Sequence, residues 1–318
     1  MILFGGQMKR KALIIGSAAV IAVAAVYLVF TINKYYPFKK LLGIHPKAQF
    51  SMGDNGTADR LDGKTVCVSL YMYGEKQTWA GCDDKKEKYR ENLGMAASWL
   101  ADRAGEYGRT AEFVWDWSQY PELCIDVTEP RLDFASYYAN NDGDNKLWKF
   151  IDEEVPSAEL VEEFGADNII YVAFFNTPDK VGTTSYAQDS YFDRDYSYDV
   201  VFLSAGNSGH EATATTLAHE ILHLYGAPDL YKTGSPGTCA YGLRTRVLDF
   251  IKENYPDEIM QNTYDRKNKQ PYYGETHGVI SPVTAYYAGL TDEVPQIILD
   301  CGADLSSHDP NRDDTNNS

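Results

Sequence analysis

The order of the apolar segments between residues 65 and 118 constrains the fold more than any other feature of the sequence. The segment TVCVSLYMYG (65–74) alternates β-branched and aromatic residues as a strand does, and residues 83–108 carry apolar side chains at helical spacing. TAEFVWDWS (110–118) predicts a second strand. A strand, a helix and a strand in this order favour a right-handed crossover. We therefore expect an α/β fold in which helices pack on a sheet.

Later apolar segments extend this sheet. Residues 145–166 predict one helix interrupted near Pro156 or two short helices, and DNIIYVAFFNTP (167–178) predicts a buried central strand. GTTSYAQ (182–188) fits a short edge strand, and YDVVFLSA (198–205) predicts a strand that leads into another helix. The sheet should therefore gain at least three strands from this part of the chain.

The C-terminal part predicts helix rather than strand. Ser281 and Pro282 suit the first positions of a helix, and Gly289 lies near its expected end. Residues 301–318 are polar and predict a disordered tail. We expect a mainly helical C-terminal subdomain.

An uncharged run near the N-terminus predicts a membrane anchor. Residues 12–32 contain no charge over 21 residues, which as a helix spans about 30 Å of hydrocarbon. The run is longer than the core of a cleaved signal peptide and has no small-x-small cleavage site, which favours an uncleaved signal anchor over a cleaved signal. We expect residues 1–11 to be a short cytoplasmic tail, residues 33–64 a stalk, and residues 65–300 a single extracellular domain.

The charge balance excludes nucleic acid as a partner. The first 40 residues hold six Lys/Arg and no Asp/Glu, so the remaining chain holds 23 basic and 46 acidic residues, a formal net charge of −23. Such a field repels phosphate backbones and favours cationic substrates or metal ions. The five cysteines show no metal-binding spacing. Outside the cell a pair such as Cys67 with Cys82 could form a disulfide, and buried free thiols are the equal alternative.

The stretch TTLAHEILHLYGAPDLY (215–231) carries the chemistry. Ser208 and Glu211 fit a capping box for a helix that ends near Gly226. Residues four apart on a helix share a face, so His219 and His223 can reach one ion. Gly226 lets the chain reverse, which places Asp229 to return a carboxylate to the same ion.

Zinc in a catalytic site takes three protein ligands and leaves a fourth position to water. His219, His223 and Asp229 supply that number, and Glu220 is placed to accept a proton from the water and later give it to a leaving amine. A bare HExxH arises by chance, and a histidine on an apolar helix is often a core residue. The extension to five fixed residues on an amphipathic helix favours a Zn²⁺ site with Glu220 as the catalytic residue.

The motif HEILHLYGAPDLY resembles the zinc motif of the metzincin-type endopeptidases, in the branch with aspartate as third ligand, as in snapalysin, and the HExxHxxGxPDxY of the immune inhibitor A-like peptidases. The resemblance covers residues 65–295. It implies a zincin-like fold, with a twisted five-stranded, mostly parallel sheet, an edge strand over the cleft, the motif helix behind it and a downstream Met-turn. GTTSYAQ would be the edge strand that pairs with substrate.

The resemblance also assigns Met260, in YPDEIMQNTY, to the Met-turn below the metal. Two departures separate this chain from the family. Asp229 replaces the more usual third histidine, and no propeptide with an obvious latency residue is visible. Tyr264 lies four residues after Met260 rather than two, so the family's tyrosine role is not carried over to it.

These observations predict a membrane-anchored extracellular zinc endopeptidase that acts on protein or peptide substrates. Two alternatives stay open: a catalytically silent zinc-containing binding ectodomain, and a hydrolase of cell-wall peptides that uses the same chemistry. The sequence does not predict a further cofactor or an oligomeric state.

Overall fold

The computed structural model describes residues 57–134, 142–177, 185–188, 198–204, 213–231, 245–265, 267–268 and 270–301. All of them belong to one compact unit, Phe50–Ser318. No helix within these ranges is long and apolar enough to cross a membrane. The uncharged run 12–32 and the polar tail 302–318 lie outside the described residues.

A sheet with six strands among the described residues forms the centre of the fold. The strands are β1 (Gly63–Met72), β2 (Ala111–Val114), β3 (Cys124–Val127), β4 (Asn168–Phe175), β5 (Ser185–Gln188) and β6 (Val200–Ser204). Their order is β2-β1-β4-β6-β5, and β3 pairs with the second half of β1 on the same side as β2. Every pairing is parallel except that of β5 with β6.

The prediction of an α/β fold with a mostly parallel sheet and a short edge strand is therefore confirmed. One strand of this sheet was not predicted. β3 is only four residues long and its residues CIDV lack a long apolar run, so no periodicity marks it. It pairs with β1 residues Ser69–Met72, beyond the end of β2.

The helices in chain order are α1 (Asp83–Glu106), α2 (Asp142–Glu154), α3 (Ser157–Phe164), α4 (Ala214–Leu224), α5 (Thr245–Asn254), α6 (Pro282–Tyr287) and α7 (Gln296–Cys301). A two-stranded antiparallel ribbon, β7 (Tyr264–Asp265) and β8 (Gln270–Pro271), lies between α5 and α6. Of the two possibilities for residues 145–166, the structure has two helices, because Pro156 cannot donate the hydrogen bond that would continue α2.

Apolar residues on both faces of β4 are buried, so the sheet is covered on both sides. Ile170, Val172 and Phe174 join one buried apolar cluster, whereas Ile169, Tyr171 and the other alternate residues join a second cluster. The first cluster contains α1 and α4, and the second contains α2 and α3. An unbroken apolar strand is typical of a parallel sheet buried on both faces.

The N-terminal boundary of the domain lies earlier than the predicted Thr65. Thr57, Ala58 and Leu61 are buried. The backbone N–H groups of Thr57 and Ala58 donate to the buried carboxylate of Asp199, at 2.8 and 2.7 Å. Residues 57–64, which the sequence assigned to the stalk, thus pack within the fold. The sequence gives no sign of this because their partner is more than 130 positions away.

Cys67 and Cys82 are free thiols, as is Cys124. Of the two alternatives for Cys67 and Cys82, the structure therefore has the free thiols and not the disulfide. Cys67 lies inside the apolar cluster beneath α1 and is fully buried, which raises the pKa of its thiol and keeps it protonated.

Candidate metal centre

Helix α4 carries the two histidines of the motif on a buried segment. Every residue of the helix except His223 is buried, and α4 packs against α1 and lies beside the edge strand β5. The helix begins at Ala214, because the Thr213 side chain accepts a hydrogen bond from the Thr216 N–H at 3.2 Å. The predicted capping box at Ser208 is thus wrong for this helix, and Ser208 itself lies outside the described residues.

The chain reverses after α4 at Gly226. Its φ of +92° lies in the region that favours glycine. A Cβ at this position would lie 3.0 Å from the carbonyl oxygen of Tyr287 in α6. Both the backbone conformation and the close approach of α6 therefore require glycine. The reversal brings Asp229 back to the face of α4 that carries His219 and His223, as the sequence predicts.

Three potential ligand atoms form a nearly equilateral triangle. The two histidine Nε2 atoms are 3.2 Å apart, and they lie 3.3 Å (His219) and 3.2 Å (His223) from Oδ1 of Asp229. These residues form the one cluster of three potential ligands found among the described part of the chain. Tetrahedral zinc at about 2.0–2.1 Å from its ligands would hold them about 3.3–3.4 Å apart. The triangle has the size of such a site.

The other nitrogen of each imidazole contacts the backbone. Nδ1 of His219 lies 3.0 Å from the carbonyl oxygen of Ile259, and Nδ1 of His223 lies 2.7 Å from that of Ala227. A carbonyl only accepts, so each Nδ1 must carry the proton. Each neutral ring then turns an Nε2 lone pair toward the centre of the triangle, as the histidine ligands of metal sites do.

The surroundings of the Asp229 carboxylate show whether these residues suit a metal ion. Its Oδ1 is shielded from solvent and has no hydrogen-bond partner. The two Nε2 atoms are near enough for ion pairing but neither forms a hydrogen bond with it. When both rings are neutral with the proton on Nδ1, three lone-pair atoms face each other without a donor between them. A cation would satisfy all three, and the nitrogen and oxygen donors are those that zinc accepts.

A proton is the competing occupant of the triangle. Burial lowers the pKa of His219, but Asp229 and the charge of Glu220 outweigh this effect and raise it to about 9. Burial raises the pKa of Asp229, but the two histidines outweigh it and hold that pKa well below its usual range. A proton on one Nε2 contacts only one neighbour, whereas a divalent ion contacts all three atoms. The triangle could therefore hold either a proton or a divalent cation.

Glu220 is 6% exposed and follows His219 directly in α4. Its negative charge is one of the causes that raise the pKa of His219, and it also contributes to the raised pKa of Tyr231. A buried carboxylate is one of the side chains that general acid–base catalysis uses.

Met260 lies in a 3-10 turn, Ile259–Gln261, that packs against α4. Its side chain is fully buried. The same turn provides the Ile259 carbonyl for His219 and the Met260 carbonyl, which accepts a hydrogen bond from Leu230 N–H at 2.8 Å. The structure thus brings the turn that contains Met260 into contact with His219 and with Leu230, the residue after Asp229.

Two residues near the site were not singled out as part of it by the sequence. Burial and the charge of the nearby Asp229 carboxylate raise the pKa of the Tyr231 phenol. Glu258 is a fully buried carboxylate just before the turn. The position of Tyr231, two residues after Asp229, was a usable signal, but it could not separate this tyrosine from the 24 in the chain. In the sequence, nothing distinguishes Glu258 from the many acidic residues expected at the surface.

Comparison with protein families and with curated proteins finds no match for this chain.

Proposed function

We propose that the chain is a zinc-dependent endopeptidase, in which His219, His223 and Asp229 hold the metal and Glu220 is the catalytic residue. The observation that carries the proposal is the triangle of Nε2, Nε2 and Oδ1 atoms at 3.2–3.3 Å with both Nδ1 atoms held by backbone carbonyls. Zinc bound there would polarise a scissile carbonyl and lower the pKa of water to about 7.

Other groups of the chain would orient the ligands and transfer the proton. The backbone carbonyls of Ile259 and Ala227 fix the direction of the imidazoles, so that little reorganisation is needed when a metal binds. Glu220 would take a proton from the attacking water and return it to the leaving amine. Its burial favours this role, because a shielded carboxylate keeps its contact with the reacting water rather than with solvent.

The edge strand β5 supports a peptide as the substrate. It is antiparallel to β6 and lies beside α4. A strand at the edge of a sheet has one row of backbone groups that an extended peptide can pair with. The net negative charge of residues 41–318 favours cationic peptides over anionic polymers.

The uncharged run 12–32 supports a location at the cell membrane, as a single-pass protein with the catalytic domain outside the cell. Under this proposal residues 1–11 are the cytoplasmic tail. The substrates would then be proteins or peptides of the extracellular space or the cell wall.

The proposal is tested by digesting a peptide library with the full chain in detergent, before and after metal removal by a chelator. We expect cleavage that the chelator abolishes and that zinc restores. Stoichiometric zinc without cleavage would instead identify a catalytically silent binding ectodomain. Cleavage restricted to cell-wall peptides would identify the wall hydrolase. Cleavage that survives complete metal removal would contradict all three.

A further inference from the structure

The turn Ile259–Gln261 contacts two of the three segments that carry the proposed ligands. The Ile259 carbonyl lies 3.0 Å from Nδ1 of His219. The Met260 carbonyl accepts a hydrogen bond from Leu230 N–H, next to Asp229, at 2.8 Å. A shift of this turn would therefore move a helix ligand and a loop ligand together.

The side chain of Glu258 holds the turn in place. Its Oε1 accepts hydrogen bonds from Met260 N–H at 3.3 Å and from the Thr284 hydroxyl at 3.0 Å. Its Oε2 accepts one from Ser281 N–H at 2.5 Å. Thr284 is in α6 and Ser281 is its N-cap residue. The carboxylate thus joins the turn to the start of α6.

The backbone reinforces the same connection. Ile259 N–H donates to the Val279 carbonyl at 3.1 Å, and Val279 N–H donates to the Asp257 carbonyl at 2.9 Å. These two bonds fix the direction of the chain on either side of Glu258. They leave Met260 N–H to the Glu258 side chain, so the inner part of the turn depends on that carboxylate.

A carboxylate is suited to this position because it accepts on two oxygens. Glu258 is fully buried, and a buried charge is costly unless hydrogen bonds compensate it. An amide of the same shape offers one acceptor oxygen and would turn its NH₂ group toward one of the backbone N–H donors. An apolar residue would leave Met260 N–H and Ser281 N–H without this acceptor.

We propose that Glu258 is a positioning residue for the metal centre, acting through the turn Ile259–Gln261 to fix His219 and the segment Asp229–Leu230. This inference rests on the proposed function, since it assumes that the three potential ligands bind zinc. Glu258 does not contact the ligand atoms. It fixes the positions of the Ile259 and Met260 carbonyls, which contact His219 and Leu230.

The test compares Glu258→Gln with Asp257→Asn, which removes an exposed carboxylate one position earlier. Zinc dissociation constants are measured by chelator competition on folded full-length protein, and the absorption spectrum of the cobalt-substituted protein reports ligand geometry. We expect Glu258→Gln to weaken zinc binding about 10–100-fold, as loss of an outer-shell partner does, and to alter the cobalt bands. Asp257→Asn should change neither quantity.

Thr284→Val provides a milder change should Glu258→Gln not fold, because it removes one donor and leaves the carboxylate. We expect a few-fold weaker zinc affinity in the same direction. Glu258→Gln or Thr284→Val with wild-type zinc affinity and cobalt spectrum, but a lower Tm, would overturn the positioning role and leave the proposed function standing. Wild-type protein that binds no zinc would overturn both.

Discussion

Nδ1 of His219 lies 3.0 Å from the backbone carbonyl oxygen of Ile259, 40 positions further along the chain. The contact decides which nitrogen of the ring carries the proton and therefore which nitrogen faces His223 and Asp229. It links the motif helix to the turn that contains Met260.

Replacing Glu220 with glutamine should separate metal binding from catalysis. The amide keeps the size of the side chain but cannot accept a proton, so we expect zinc content to stay at the wild-type level while kcat falls by about 10²–10⁴-fold. Metal analysis and peptide hydrolysis on the same sample check this. Wild-type turnover in Glu220→Gln would exclude Glu220 as the general base.

Replacing Asp229 with asparagine should weaken the metal site itself. Its Oδ1 is the one oxygen of the triangle, and the amide is neutral. We expect zinc affinity to fall by at least about 100-fold, more than an outer-shell change produces. Chelator competition measures the constant, with Asp257→Asn as the control. An unchanged affinity would mean that Asp229 does not contact the metal.

Gly226→Ala should destabilise the protein, because φ at this position is +92° and the new Cβ would lie 3.0 Å from Tyr287 O. We expect a loss of about 1–3 kcal/mol in the free energy of unfolding. Gly105→Ala is the matched control, since Gly105 lies in α1 with nothing within 4 Å of an added Cβ. That change should be neutral or stabilise by up to about 1 kcal/mol. Urea unfolding of both variants checks the difference.

Glu258 should give the protein a characteristic pH dependence. Burial raises its pKa above the ordinary 4.5, and hydrogen bonds from Ser281, Met260 and Thr284 only partly offset this. The folded state therefore binds the proton more tightly than the unfolded state. Its contribution to stability is full below pH 4.5 and is lost as pH rises through the raised folded pKa.

Glu258→Gln removes this titration, so the stability of wild type relative to the variant should increase as pH falls toward 4.5. The neighbouring phenol of Tyr107, whose pKa burial and the Glu258 charge raise to about 12, stays neutral throughout this range. Urea unfolding of both proteins at several pH values measures the difference in their free energies of unfolding. A difference that is constant with pH would show that the pKa of Glu258 does not change on folding.

Local sequence patterns predicted the parts of the fold that depend on local physics. The strand β4 and the helix α1 follow from apolar runs and spacing, and Gly226 follows from the need for a reversal. The short strand β3 and the buried segment at Thr57 did not, because each depends on a distant partner. The motif also indicated which residues of the candidate site come together.

The motif could not indicate which groups hold the potential ligands in position. The acceptor for His219 is a backbone carbonyl, which any residue at position 259 would provide, so no side chain marks it. Glu258 is likewise indistinguishable by type from the exposed acids of this chain. Only tertiary contacts with Ser281 and Thr284 show that its carboxylate is buried and fully engaged.

The most direct test of the central claim is a zinc titration of the metal-free full-length chain with peptide hydrolysis measured at each step. We expect hydrolysis to rise in proportion to added zinc and to saturate at one zinc per chain, with no rise in a His219→Ala, His223→Ala double variant. Hydrolysis that is independent of zinc, or a chain that binds none, would contradict the account.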